Sequence, residues 1–255
     1  MQERVGVLFD LYGTLLIYGD MQQAWSDWIE DMRFGLNRLG LILSPQEASL
    51  ACDGFFSGAL KPISGLTVYE TRIHLLAMKL GANPGTQWCG QMARSTLERW
   101  QSYITLDPDA LSVLSELKSA QIRIGVLSNF DHYPHIYEVL QATGLAPYMD
   151  ATVISGEVGL KKPDKAIFAL GVSSLGTDAK RTFFIGDHPE LDFDGAENAG
   201  LQAILLMRGA KGLDRLHTNY RADQISAPEA NESIQSKQTV ASLYEAANVI
   251  YSAVF

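Results

Sequence analysis

Residues 5–16 read VGVLFDLYGTLL, an apolar run that ends on a carboxylate, Asp10, and then turns through Tyr12, Gly13 and Thr14. Val5 to Phe9 is short, β-rich and closed by a glycine-containing turn, the pattern of a buried strand. A buried strand that stops on an acid places that acid at the edge of a sheet, where function can overrule burial. The arrangement recurs along the chain. IRIGVL (122–127) ends in Ser128 and Asn129, and TFFIG (182–186) ends in Asp187, with Asp192 five residues on. After ATVIS (151–155) a loop carries Lys161 and Lys162 before Pro163, and AILLM (203–207) is a further strand.

Helical segments separate these strands: one with Leu111, Leu114 and Leu117, one around Ile136 to Leu140, one over 164–172 and one ending near Gly200. Strands alternating with helices of this length predict an α/β fold, a doubly wound parallel sheet with helices on both faces. In such sheets ligands bind outside the carboxyl ends of the strands. Asp10, Thr14, Ser128, Asn129, Lys162, Asp187 and Asp192 are therefore expected to converge on one crevice. Singly they have ordinary explanations: an acid after a strand caps a helix or forms a turn, Ser-Asn makes a turn, and a lysine is solvated. Together, at one end of one sheet, they do not.

The stretch after the first strand is helical throughout. Trp25, Trp28, Ile29, Met32, Leu36 and Leu39 fall at helical spacing before Gly40. Ser44-Pro-Gln-Glu47 and Thr67-Val-Tyr-Glu70 are capping boxes, Gly81 closes the second of those helices, and Asn83-Pro84 is expected to open a fourth. The predicted organisation is an α/β core of residues 1–16 and 103–255 interrupted by a small all-helical insert at 17–102. The polar stretch 224–238 is expected to be a surface loop, and 239–254 a closing helix.

The chain has 255 residues, 47% hydrophobic and 19% charged, enough for a normal buried core. A net charge of -9 argues against nucleic acid or an anionic membrane as partner and leaves room for a cation-assisted site for small anions. Cys52 and Cys89 have no disulfide or metal spacing and are expected to be buried in a reducing, cytoplasmic setting. No apolar stretch approaches the ~20 residues a spanning helix needs.

Three close carboxylates do not all ionise comfortably without a cation, so a hard divalent ion held through oxygen, Mg²⁺, is expected among Asp10, Asp187 and Asp192. A carboxylate can attack phosphorus to form an aspartyl-phosphate. The metal and Lys162 would offset the repulsion between Asp10 and a phosphate dianion, while Thr14, Ser128 and the backbone N–H groups of the 11–15 turn could hold the transferring oxygens. These are the parts of a phosphoryl-transfer site.

FDLYGTL, VLSNF, GLKKPDKAIF and FFIGDHPELDFDGAENAG, in that order, resemble the four motifs of the haloacid dehalogenase-like (HAD) hydrolase superfamily. The helical insert sits where that family places its cap domain. The resemblance implies Asp10 as nucleophile, Thr14, Ser128 and Lys162 as catalytic partners and Asn129 at the substrate. It implies a metal held by Asp10, the backbone carbonyl of Tyr12 and Asp187, with Asp192 a ligand or a supporting acid. Tyr12 stands where family phosphatases usually carry the aspartate that protonates the leaving alcohol. A phenol, with an ordinary pKa near 10, donates a proton but is a poor base at neutral pH. Asp10-x-Tyr12 is instead the form seen in the family's 2-haloacid dehalogenases, where the carboxylate attacks carbon and halide departs unprotonated. Those enzymes lack the acid matching Asp187 and carry Tyr where this chain has Phe168.

The fourth motif is of the metal-dependent kind, and it points to an Mg²⁺-dependent phosphatase acting on a small anionic phosphomonoester. A 2-haloacid dehalogenase is the alternative, and a non-catalytic phospho-ligand binding protein a further one. A phospho-receiver regulator would carry its acceptor aspartate after the acidic pair, not before it, and a dinucleotide oxidoreductase would show GxGxxG after a strand. His188 is expected to be a bystander at the rim, since Mg²⁺ prefers oxygen. Lys61, Arg33 and Arg72 are expected to be helix-surface charges that could also meet a substrate anion.

Overall fold

The computed structural model describes residues 4–208 and 238–255, which form two compact units. One comprises residues 4–17, 106–208 and 238–255; the other comprises residues 18–105. The strands in chain order are β1 (Gly6–Phe9), β2 (Leu16–Tyr18), β3 (Ile104–Leu106), β4 (Arg123–Ser128), β5 (Ala151–Ile154), β6 (Thr182–Gly186), β7 (Gln202–Leu206) and β8 (Thr239–Val240).

Six of them form one sheet in the order β5-β4-β1-β6-β7-β8, with every neighbouring pair parallel. β1 lies inside it, and its residues are all buried, as its unbroken apolar run requires of a strand covered on both faces. Leu8 faces a cluster with Leu127, Ile167, Phe168, Phe184 and Leu205, while Val7 and Phe9 point the other way and are equally buried. Phe9 pairs with Val126 on one side and Ile185 on the other, so the carboxyl ends of β1, β4 and β6 lie level. This is a doubly wound α/β core.

Two features depart from the sequence expectation. The segment 239–254 is not helical from its start: Thr239–Val240 pairs with Leu205–Leu206 as an edge strand, and the helix runs over Leu243–Val254. The switch falls at Ser242, whose hydroxyl caps Glu245 N, so the cap signal inside the segment marks the true start. The short strands β2 and β3 were not expected either. They form a ribbon in which the chain passes from one unit to the other. Of the expected surface loop at 224–238, all but Gln238 lies outside the described residues.

The second unit consists of helices Met21–Arg38, Pro45–Cys52, Val68–Lys79 and Thr86–Gln101. Both capping boxes form, Ser44 with Glu47 and Thr67 with Glu70. The fourth helix starts at Thr86, two residues beyond Pro84, with Gly85 at its cap and no side chain there to bond it. Trp25, Trp28, Phe55, Phe56 and Tyr69 form the aromatic centre, and Cys52 and Cys89 are buried free thiols. Trp28 Nε1 donates to the Tyr69 hydroxyl at 2.6 Å, and that oxygen lies 2.7 Å from Thr96 Oγ1, which donates to Met92 O. Two of the cations named above, Arg33 and Arg72, serve local structure. Arg33 pairs with Glu30, and Arg72 donates to the carbonyls of Phe55, Ser57 and Gly58.

Tyr69→Phe would leave the buried Trp28 N–H without its acceptor, and denaturant unfolding is expected to show a loss of about 1–3 kcal/mol.

Candidate active site

Asp10 follows β1 and remains bonded to the sheet through its N–H, which donates to Ile185 O at 2.9 Å. The chain then turns tightly: Leu15 N and Leu16 N both donate to Leu11 O, and Gly13 N donates to Leu16 O. Gly13 has a φ of +92°, and a Cβ there would lie 2.1 Å from Asp187 Oδ2. Only glycine permits both the conformation and the approach.

Asp187 leaves β6, and the chain continues through a wide π-helical turn, Pro189–Asp194, into the short helix Gly195–Asn198. The turn brings Asp192 back over the strand end, where its Oδ2 accepts from His188 N at 2.9 Å. Gly186 makes room for it, since a Cβ there would come within 2.4 Å of the Asp192 carboxyl carbon. His188 is not at the rim. It is buried, and its Nδ1 accepts from the N–H groups of Glu190 and Leu191, capping the wide turn.

Asp10, Asp187 and Asp192 each offer a carboxylate oxygen within 4.8 Å of the others. Lys162 reaches two of them, Asp10 Oδ1 and Asp192 Oδ1, at 2.6 Å each, and is itself only 3% exposed. Its ammonium also sits 5.4 Å from the Phe184 ring centroid. Asn129, just beyond β4, holds the lysine's backbone at both ends: Lys162 N donates to its Oδ1 at 2.9 Å, and its Nδ2 donates to Lys162 O at 3.1 Å. Its amide, expected at the substrate, is thus occupied with the lysine's own peptide groups. Ser128 ends β4 and is buried.

Burial pushes the Asp10 carboxyl up to about 7; the charges of Asp192 and Asp187 push the same way, against Lys162. Burial works to lower the Lys162 ammonium, but Asp10 and Asp192 outweigh it and hold it charged. With all three carboxylates ionised, one ammonium would leave two negative charges in excess, which matches a dication in sign and size. Thr14 Oγ1, four residues beyond Asp10, is buried without a hydrogen-bond partner in the structure, so its bonding capacity is available to a ligand. An all-oxygen donor set of this kind suits Mg²⁺.

Tyr12 is buried with its ring stacked on Phe130 (centroids 5.3 Å apart), and Phe130 stacks in turn on His135 at 5.7 Å. Phe168 lies in the core, edge-on to Phe184, and presents no hydroxyl. The structure thus brings Asp10, Asp187, Asp192 and Lys162 into one cluster, sets Asn129 on the lysine's backbone, and buries Thr14, Ser128 and Tyr12.

A profile described as haloacid dehalogenase-like hydrolase matches residues 5–200, most of the chain. The chain belongs to the haloacid dehalogenase-like hydrolase family. It is 33% identical over 110 residues to a phosphoserine phosphatase of Thermus thermophilus, covering 43% of each chain. Among solved structures it resembles a HAD phosphatase from Thermococcus onnurineus (TM-score 0.66, 19% identity, 96% and 97% of the two chains covered). It also resembles a 2-haloacid dehalogenase from Pseudomonas syringae pv. Tomato (TM-score 0.59, 18% identity, 98% and 100% covered). The chain spans about half the length of the curated relatives it matches. At these identities the solved structures establish the fold and leave the chemistry to the residues.

Three supporting residues were not singled out in the sequence: His188 as a cap, Asp107 and Arg208. Arg208 follows the run AILLM as Asp10 follows VGVLF, so the rule of inspecting the polar residue after each strand would have found it.

Gly13→Ala is expected to cost at least about 1–2 kcal/mol from the left-handed backbone alone, and more if Asp187 is displaced. A lowered denaturant midpoint together with weakened Mn²⁺ binding would record both effects.

Proposed function

We propose that this hydrolase is an Mg²⁺-dependent phosphatase that cleaves small anionic phosphomonoesters through a phospho-Asp10 intermediate. The observation that supports this reading is the cluster of Asp10, Asp187 and Asp192, their carboxylate oxygens within 4.8 Å of one another, with buried Lys162 bridging Asp10 and Asp192. Asp10, Asp187, Asp192 and the Tyr12 carbonyl would hold the cation, which when bound supplies positive charge to the phosphoryl oxygens. Asp10 attacks phosphorus while the bond to the leaving oxygen breaks, and the leaving group departs with the bonding electrons. Water then attacks the phosphorus of phospho-Asp10, releasing inorganic phosphate and restoring the carboxylate. Lys162 stays protonated throughout, keeping Asp10 and Asp192 from repelling the incoming dianion and each other. Ser128 and Thr14 supply hydroxyls to the transferring oxygens, and Asn129 acts on them through Lys162. The helical unit serves as the family's cap and selects the substrate.

Tyr12 sets the character of this chemistry. A phenol is a weaker proton donor than a carboxylic acid, so leaving groups that depart readily as anions are favoured. p-Nitrophenyl phosphate is expected to be cleaved at least about 100-fold faster than an alkyl phosphate, and Tyr12→Asp is expected to narrow that gap.

The same residue favours a second reading, a 2-haloacid dehalogenase in which Asp10 displaces halide from carbon. One panel separates the two: p-nitrophenyl phosphate and a set of phosphometabolites with Mg²⁺ or EDTA, beside chloride release from L-2-chloropropionate. Phosphate release that EDTA stops and Asp10→Asn abolishes is the expected result. EDTA-resistant chloride release without phosphatase activity would establish the dehalogenase instead. Ligand binding with neither reaction would leave a non-catalytic binding protein.

A further inference from the structure

Arg208, two residues beyond β7, donates from Nη1 to Gly13 O and from Nη2 to Thr14 O, and Nη2 also reaches Asp107 Oδ2 at 2.7 Å. Asp107 is buried and doubly anchored. Its Oδ1 accepts from Asp109 N at 2.8 Å, and its own N–H donates to Leu15 O at 2.9 Å. Three successive carbonyls of the turn after Asp10 are therefore held by one arginine and one aspartate. The same turn carries groups of the candidate site. Gly13 lies directly beneath Asp187, and Thr14 presents its buried, unpartnered hydroxyl.

We propose that Arg208, oriented by Asp107, is a positioning residue for the reaction: by gripping the Gly13 and Thr14 carbonyls it holds the turn against Asp187 and so sets the spacing of the acids. The planar guanidinium presents its N–H groups to two adjacent carbonyls in a fixed fork, a geometry that an ammonium on its flexible stem does not preset. The grip also fixes the chain where it is about to leave the α/β unit, after Leu15, and where it has just returned, at Asp107. A shift of about 1 Å in reacting groups can cost 10²-fold in rate, so a clamp remote from the reacting atoms has a kinetic consequence. The effect on the reaction rests on the phosphatase reading; the effect on the turn does not.

The test compares the full chain with Arg208→Ala, Arg208→Lys and Asp107→Asn. Four measurements are made: thermal unfolding, Mn²⁺ affinity by calorimetry, kcat and KM for p-nitrophenyl phosphate, and amide exchange over residues 9–17. In folded Arg208→Ala, the expected results are Mn²⁺ binding at least tenfold weaker, kcat at least tenfold lower, KM within threefold of wild type, and faster exchange of the turn. Arg208→Lys keeps the charge but not the fork and is expected to stay close to Arg208→Ala; wild-type behaviour there would mean that charge alone matters and would overturn the proposal. Unchanged Mn²⁺ affinity, kcat and exchange in Arg208→Ala would overturn it as well. If Arg208→Ala does not fold, Asp107→Asn, which leaves the arginine in place, is judged by the same measurements. If the wild-type chain neither binds Mn²⁺ nor cleaves a phosphomonoester, the phosphatase reading falls by itself. The clamp is then decided by the exchange rates alone: faster exchange in the variant sustains it, and equal rates refute it.

Discussion

Lys162 bridges Asp10 and Asp192 where all three side chains are nearly withdrawn from water. Burying charges is expensive, and mutual attraction offsets the cost only when the geometry is held closely. Much of the α/β unit can be understood as providing that hold. The level register of β1, β4 and β6 brings three strand ends together. The wide turn after β6 folds Asp192 back over Gly186, and His188 braces the turn with its ring nitrogen. Asn129 fixes the peptide groups of Lys162, so the long side chain starts from a defined point. Even so, with its acids ionised the cluster keeps an excess of negative charge, so it could hold a cation as well as the lysine.

The family relationship constrains the scaffold more tightly than the reaction. Solved structures of a HAD phosphatase and of a 2-haloacid dehalogenase both match this chain along nearly its full length at under 20% identity. In either reading proposed for this chain Asp10 would be the attacking carboxylate; the two differ in what they ask of the residues around it. Asp187 and Asp192 would repel each other and Asp10 without a cation, which makes them hard to explain in a metal-free dehalogenase. Tyr12, stacked on Phe130, is the residue that fits such an enzyme better. Function therefore resides in a few side chains grafted onto a shared sheet.

Much of this was legible in the sequence because its signals are local. An unbroken apolar run such as VGVLF predicts a strand buried on both faces, and Ser44-x-x-Glu47 predicts a helix start; both formed. The misplaced boundaries have local causes too. Ser242 caps a helix inside a segment whose sequence reads as helical from residue 239, and the three-residue strands β2 and β3 are too short to show a periodicity. Asn129 was recognised as part of the site, but its attachment to Lys162, 33 residues away, was not, because no local pattern links an amide to a distant peptide.

The sequence alone determined the alternation of the five main strands with helices and which polar groups would stand at their ends, because burial periodicity and capping are properties of neighbouring residues. It also determined that three acids and a lysine would be available to one another, since parallel strands direct all their carboxyl ends to the same edge. Only the tertiary structure decided which acids the lysine touches, that Gly13 must pass beneath Asp187, and that Arg208 and Asp107 grip the turn between them. Those contacts depend on distances of a few tenths of an ångström between segments up to 195 residues apart in the chain, and only the packed fold sets such distances.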